Sequence, residues 1–382
     1  MVKLVETWRI FVRFLYLGCV SFGGPAAHIG YFRKEFVEQR RWLNSDQFAA
    51  NLALCQFLPG PASSQLGFAI GCHRGGLWGG LGAFWGFTLP SFLLMWALAS
   101  SQQHGLGPLL FESGVVEGLK LLAVAVVADA IWTMGQQFCR RWDTAVIAAL
   151  TALALWWLTT PLTQLAVLAA AAVLGYLRSE KPNRPVPQVT LPASGKGALL
   201  IFALVLLASF VAASSVFSQF YQAGALVFGG GHVVVPLLQS FIGDAVPADQ
   251  FLLGYAAAQA VPGPMFTLAS YLGAVLRPES ALTFAAVATA GVFLPGFLLV
   301  IALRESWQTL SQRPRIAATV TAVNAAAVGM LVAAWFGPIT GHAPAGWWAA
   351  GVAVLGFVAL RSKRVPVGVL IVGFSLLGWW QF

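Results

Sequence analysis

The chain has 382 residues, 58% of them hydrophobic and only 9% charged, with a mean hydropathy of +0.78, which excludes a soluble domain of this size. Its formal net charge of +9 sits in clusters between apolar segments rather than along one helix face, so it reads as a topology signal and not as a nucleic-acid surface. The apolar runs are continuous and rich in Leu, Ala, Val and Phe, which excludes the alternating strands of an outer-membrane barrel and leaves an all-α polytopic membrane protein in a lipid bilayer.

The first segment carries Glu6, Arg9 and Arg13 where a signal peptide would have its apolar core, and no small-residue cleavage site follows. It is read as retained, with the two arginines anchoring it at the cytoplasmic surface. Next comes Phe22-Gly23-Gly24-Pro25 with His28, then a basic stretch holding Arg33, Lys34, Arg40 and Arg41, then Gln56-Phe57-Leu58-Pro59-Gly60-Pro61 and Leu89-Pro90-Ser91. Apolar spans are expected near 77 to 99, 114 to 136, 144 to 158 and 162 to 177, followed by a basic linker over 181–197 and a further helix at 198 to 214. The punctuation then repeats at a nearly constant separation: Phe228-Gly229-Gly230-Gly231-His232, Asp249-Gln250-Phe251 for Asp46-Gln47-Phe48, Gln259-Ala260-Val261-Pro262-Gly263-Pro264, and Leu294-Pro295. Cys19, Cys55, Cys72 and Cys139 are scattered without a CxxC pair, and neither a metal-ligand spacing nor a phosphate-binding GxxxxGK[ST] loop is present. No cofactor and no metal are expected, and the chain does not hydrolyse ATP by itself.

An FGGP motif followed by an acidic and basic stretch, then QxLPGP, then a Gly-rich turn and LPS resembles the chromate ion transporter family, over essentially the whole chain. The resemblance implies a long member with two copies of one domain: 1–180, the linker 181–197, and 198–382, which includes the additional helix. The second copy is the more degenerate, since His232 follows the glycines directly and Gly296 stands where Ser91 would be.

Charge places the halves. Lys and Arg cluster at 33–41, 74, 140–141, 178–196, 304–315 and 361–364, whereas 100–113, 159–163, 239–250 and 337–345 contain neither, so the former are expected inside and the latter outside. If the segments around FGGP and LPGP both spanned fully, Arg33 to Arg41 would lie outside; broken, re-entrant hairpins remove that conflict. The helix at 198–214 then inverts the second copy, giving two inverted repeats, nine full spans and four re-entrant or broken segments. The N-terminus is expected in the cytoplasm and the membrane is expected to be the cell inner membrane.

Inverted-repeat transporters place their site where helices break near the midplane, with half-helix N-termini facing anionic groups. Glycine permits the backbone conformations of a break, and proline suits the first helical position after it. The candidate substrate-binding residues are therefore Gly23, Gly24, Pro25, Ala26, His28, Gln56, Pro59, Gly60, Pro61, Ser63 and Gln65 in the first half. In the second half they are Gly230, Gly231, His232, Gln259, Pro262, Gly263, Pro264 and Thr267. The alternative for each break is a packing kink. His28 and His232 could be ligands, gates or hydrogen-bonding groups at helix starts. Lys120 lies in an apolar segment and aligns with Asn324, so a cation from one half and an amide from the other could face the substrate; snorkelling of Lys120 to the interface is the alternative.

The function implied is secondary transport of a tetrahedral oxyanion, chromate by resemblance, outward and conferring chromate resistance; a sulfate-like or general oxyanion exchanger is the nearest rival. A channel and an intramembrane enzyme using His28 and Asp129 are the other classes weighed. A homodimer is left open as an assembly.

Overall fold

The computed structural model describes residues 2–102, 113–158, 160–179 and 191–382. Most of the expected outer loop at 100–113 and of the basic linker, including Lys181 and Arg184, lies outside the described residues. Within them every element is helical and no strand occurs.

The first half runs α1 (Val2–Val20), α2 (Gly24–Arg33, continued by a π turn Lys34–Gln39), α3 (Ser45–Phe57), α4 (Ala62–Ser101), α5 (Val115–Phe138), α6 (Trp142–Trp157) and α7 (Pro161–Arg178). After α8 (Ala193–Val211) the order repeats as α9 (Val216–Leu226), α10 (Val234–Ile242), α11 (Ala248–Ala260), α12 (Leu268–Leu276), α13 (Ala281–Leu303), the short α14 (Trp307–Ser311), α15 (Pro314–Ala334, continued by a π turn Trp335–Ile339), α16 (Trp347–Ser362) and α17 (Val367–Gln381). Helix α8 begins at Ala193 rather than at residue 198, because Lys196 enters its first turn with the side chain exposed.

Local chemistry explains several ends. Asn44 and Gln47 form a reciprocal capping box at the start of α3, and Thr160 and Ser215 cap α7 and α9 through Thr163 N–H and Ser218 N–H. Helix α4 is two legs joined at Gly75-Gly76, where Gly76 has φ 63° and ψ −157°, a conformation that L side chains rarely adopt. Its counterpart in the second half is the turn between α12 and α13 at Arg277–Ser280. Pro90 and Pro295 lie inside helices, as membrane helices tolerate. Among the described residues, five segments are long and apolar enough to cross a bilayer: Ala62–Ser101, Pro161–Arg178, Ala193–Val211, Pro278–Leu303 and Pro314–Ile339.

Two packed regions result. One holds α1 against α4, α9 against α13 and α12 against both α13 and α4. The other is a bundle in which the halves exchange partners: α5 of the first half packs on α16 and α17 of the second, and α15 packs on α6 and α7. Small residues make these contacts. A Cβ on Gly118 of α5 would lie 1.9 Å from Phe374 O in α17, one on Gly329 of α15 would lie 2.2 Å from Ala148 O in α6, and one on Gly175 of α7 would lie 2.6 Å from Ala318 O in α15. In lipid, where no hydrophobic drive brings helices together, such close backbone approach is what dispersion needs.

Candidate functional site

Four interruptions of helix punctuate the first region: Ser21–Gly23 between α1 and α2, Leu58–Pro61 between α3 and α4, Val227–Gly230 between α9 and α10, and Val261–Pro264 between α11 and α12. Gly23 (φ 99°), Gly24 (74°), Gly60 (114°), Gly229 (80°), Gly230 (141°) and Gly263 (93°) all lie in the left-handed half of backbone space, which explains the glycine in each motif.

The interruptions are tied to one another across the halves. Gly60 N–H donates to Val227 O at 2.7 Å, and Gly263 N–H donates to Ser21 O at 2.9 Å. Each LPGP-type break also rests on the proline-bearing helix of the opposite half. A Cβ on Gly60 would lie 3.4 Å from Gly296 Cα, and one on Gly263 would lie 3.0 Å from Ser91 Oγ and 3.1 Å from Phe87 O.

Around these crossings sit several of the residues singled out in the sequence. Pro25 occupies the first turn of α2, Ala26 is exposed, and Pro61 immediately precedes α4. Neither helix has a side-chain cap, so the N–H groups of its first turn are open to an acceptor. His28 is fully buried, its Nδ1 3.3 Å from Ser63 Oγ and its ring edge-on to Phe87; Nε2 has no hydrogen-bond partner among the described residues. Gln65 donates from Nε2 to Pro59 O at 2.8 Å and leaves Oε1 without a partner.

The second half is built differently. Gly231–Val233 and Met265–Thr267 are single 3₁₀ turns, after Pro262, Gly263 and Pro264 in the latter case, and Thr267 Oγ returns a hydrogen bond to Pro264 O at 2.8 Å. His232 Nδ1 pairs with Tyr255 Oη at 2.8 Å, and Gln259 Nε2 lies 3.2 Å from Met265 S. Asn324 is buried beside the Val227–Gly230 break: a Cβ on Gly229 would come within 3.6 Å of its Oδ1, which has no partner among the described residues.

Two of the singled-out residues are not drawn to the crossings. Gln56 is exposed on the last turn of α3. Lys120, only 6% exposed, bonds Glu117 and Asp249, each at 2.7 Å. Asp249 opens α11, and its break lies about 17 Å away at the other end of that helix, at about 1.5 Å per residue. The residues missed in the sequence are thus Glu117 and Asp249. The i,i+3 spacing of Glu117 and Lys120 was a usable signal, whereas nothing in the chain order links Lys120 to Asp249. Asp129, nine positions along α5 from Lys120, instead faces Arg361 of α16 at 3.7 Å.

A duplicated, all-helical, multi-pass architecture with helix interruptions interlocked between the halves defines a membrane transporter rather than an enzyme. The chain belongs to the chromate transporter family, whose model matches it twice, over residues 8–176 and 214–379, with α8 between the matches. It is similar to a chromate transport protein of Pseudomonas aeruginosa, 29% identical over 98% of this chain and 92% of that protein. A probable chromate transport protein of Synechococcus elongatus is 28% identical over 84% of this chain and 81% of that protein. A chromate transport protein of Cupriavidus metallidurans is 27% identical over 85% of this chain and 81% of that protein. No solved structure matches the chain.

Proposed function

We propose that the chain is a secondary transporter that exports chromate across the cell inner membrane, with the anion held between the four helix interruptions. The observation that carries this reading is the crosswise pairing of Gly60 with Val227 and of Gly263 with Ser21, which gathers two uncapped helix N-termini and the buried polar groups of His28, Ser63, Gln65 and Asn324 around shared breaks. A tetrahedral dianion satisfies unpaired N–H donors at helix starts. It also leaves again more readily from neutral donors than from fixed cations. The family membership and the chromate transport proteins it resembles support chromate as the substrate.

Export is the energetically easy direction. A dianion leaving a cell with a negative interior gains about 4.6 kcal/mol per 100 mV, from about 2.3 per charge, and at about 1.4 kcal/mol per tenfold this sustains an outward gradient of around three decades. The basic clusters support a reading in which the α2–α3 connection, with Arg40 and Arg41, is cytoplasmic and the repeats run in opposite orientations across the membrane.

The test is chromate flux in everted vesicles carrying the protein, under an imposed potential and with excess sulfate. Potential-driven accumulation that resists sulfate is expected. Flux abolished by modest sulfate would instead indicate a general oxyanion transporter, and absence of flux would overturn the reading.

A further inference from the structure

The two halves have corresponding helices, and most make corresponding contacts, but α2 and α3 do not repeat those of α10 and α11. Helix α11 packs on α5 and α17, and α10 packs on α15 and α7. By internal symmetry α3 should pack on α15 and α7, and α2 on α5 and α17. Among the described residues neither does so comparably: α3 rests on α4 and the short α14, with Phe57 against Trp307, and α2 rests on α4 and its own π turn. One end of the molecule is therefore closed against the bundle and the other is open.

Two polar links fasten the closed end. Lys120 Nζ of α5 joins Asp249 Oδ1 of α11, and Gln164 Nε2 of α7 donates to Pro236 O of α10 at 3.3 Å. They are close together, since Gln164, Pro236 and Ala248 line one cavity of about 670 Å³. The symmetric positions at the open end are Asn324 for Lys120, Asp46 for Asp249 and Leu370 for Gln164. Asn324 offers no charge to Asp46, and Leu370 offers no donor, so the sequence cannot build the same fastening there.

We propose that Lys120, Glu117 and Asp249 form a one-sided latch that biases the transporter toward the arrangement with its α10–α11 end closed, and that Lys120 exchanges partners when the arrangement inverts. The exchange follows from the same symmetry. Asn324 now stands beside the Gly229 break; in the inverted arrangement Lys120 takes the equivalent place beside the Gly23-Gly24 break. There its ammonium faces the uncapped start of α2 and any anion held at it. An anion arriving at that break competes with Asp249 for Lys120, which links occupancy to release of the latch. Glu117, on the same helix one turn away, keeps the lysine paired while Asp249 departs, so the buried ammonium is never left alone, a state that would be strongly disfavoured. By the charge pattern the closed end faces outward, a point that rests on the transport reading above; the latch itself does not.

The test uses the full chain in lipid nanodiscs, with the four native cysteines replaced and spin labels on cysteines substituted for Ala49 of α3 and Ala317 of α15, both exposed. The otherwise unaltered protein is expected to show one long distance. Asp249→Asn, which leaves Lys120 bonded to Glu117 and so preserves the fold, is expected to add a second, shorter population. Lys120→Asn combined with Asn324→Lys, which moves the charge to the opposite end opposite Asp46, is expected to make the shorter distance the major one. A wild-type distribution in Asp249→Asn overturns the proposal, even where the double variant fails to fold. A protein that moves no chromate yet shows the inversion would refute the substrate and keep the latch, so the two failures are distinguishable.

Discussion

At the scale of single residues, the breaks depend on what a glycine can do that no other residue can. Gly60 and Gly263 combine a positive φ with a tight neighbour, Gln65 Nε2 and Ser91 Oγ respectively, each 3.0 Å from where a Cβ would stand, so a side chain meets both backbone strain of about 1–2 kcal/mol and crowding. Gly60→Val and Gly263→Val are each expected to lower chromate flux at least about tenfold in vesicles with matched protein content, an effect of about 1.4 kcal/mol or more; normal flux in both would remove the crossings from the site. Ser63 is the hydrogen-bond partner of a fully buried histidine. Ser63→Ala should lower the thermal midpoint in detergent, since an orphaned buried polar group costs about 1–3 kcal/mol, and His28→Leu in the same chain should restore part of the loss.

The glycines and prolines of these breaks were legible in the sequence because duplication displayed them twice. Lys120 was legible as an unusual charge, but its partner was not: Asp249 is remote in sequence and reads as a loop acid until α11 is laid against α5. His232 was legible only as a histidine after glycines; its bond to Tyr255 joins residues of two separate helices and has no counterpart in the first half, where Leu52 replaces the tyrosine.

At the scale of helices, contacts between the halves rest on backbone approaching backbone. Gly118 meets the carbonyl of Phe374, and Gly329 meets that of Ala148, both at distances that no side chain tolerates. Gly118→Val and Gly329→Val should therefore each reduce the yield of monodisperse protein several-fold on size-exclusion chromatography, whereas Gly351→Ala, where a Cβ meets nothing within 4 Å, should leave it unchanged. Helix positions followed from hydropathy and charge, with α8 displaced toward its N-terminus because a lysine can sit in a first turn with its head in water. Which helices pair did not follow. The partner exchange of α5 and α15 is a long-range property, invisible to any pattern within one segment.

At the scale of the whole molecule, that exchange makes the halves interdependent. A chain ending before α8 lacks the helices that cover α5, and one beginning at α8 lacks those that cover α15. Each expressed alone should be degraded or aggregate, whereas the two expressed together as separate chains should copurify through a tag on either. Recovery of a monodisperse first half on its own would contradict the interlocked bundle.

The hydrogen bonds from Gly60 to Val227 and from Gly263 to Ser21 join main-chain atoms only. Main-chain links are indifferent to the side chains around them, so one copy can accumulate substitutions while the joint between copies persists, provided the glycines stay. Such drift is visible where Gly231 and Gly296 of the second copy stand at the positions that Pro25 and Ser91 hold in the first, and it leaves each copy free to specialise without losing its hold on the other.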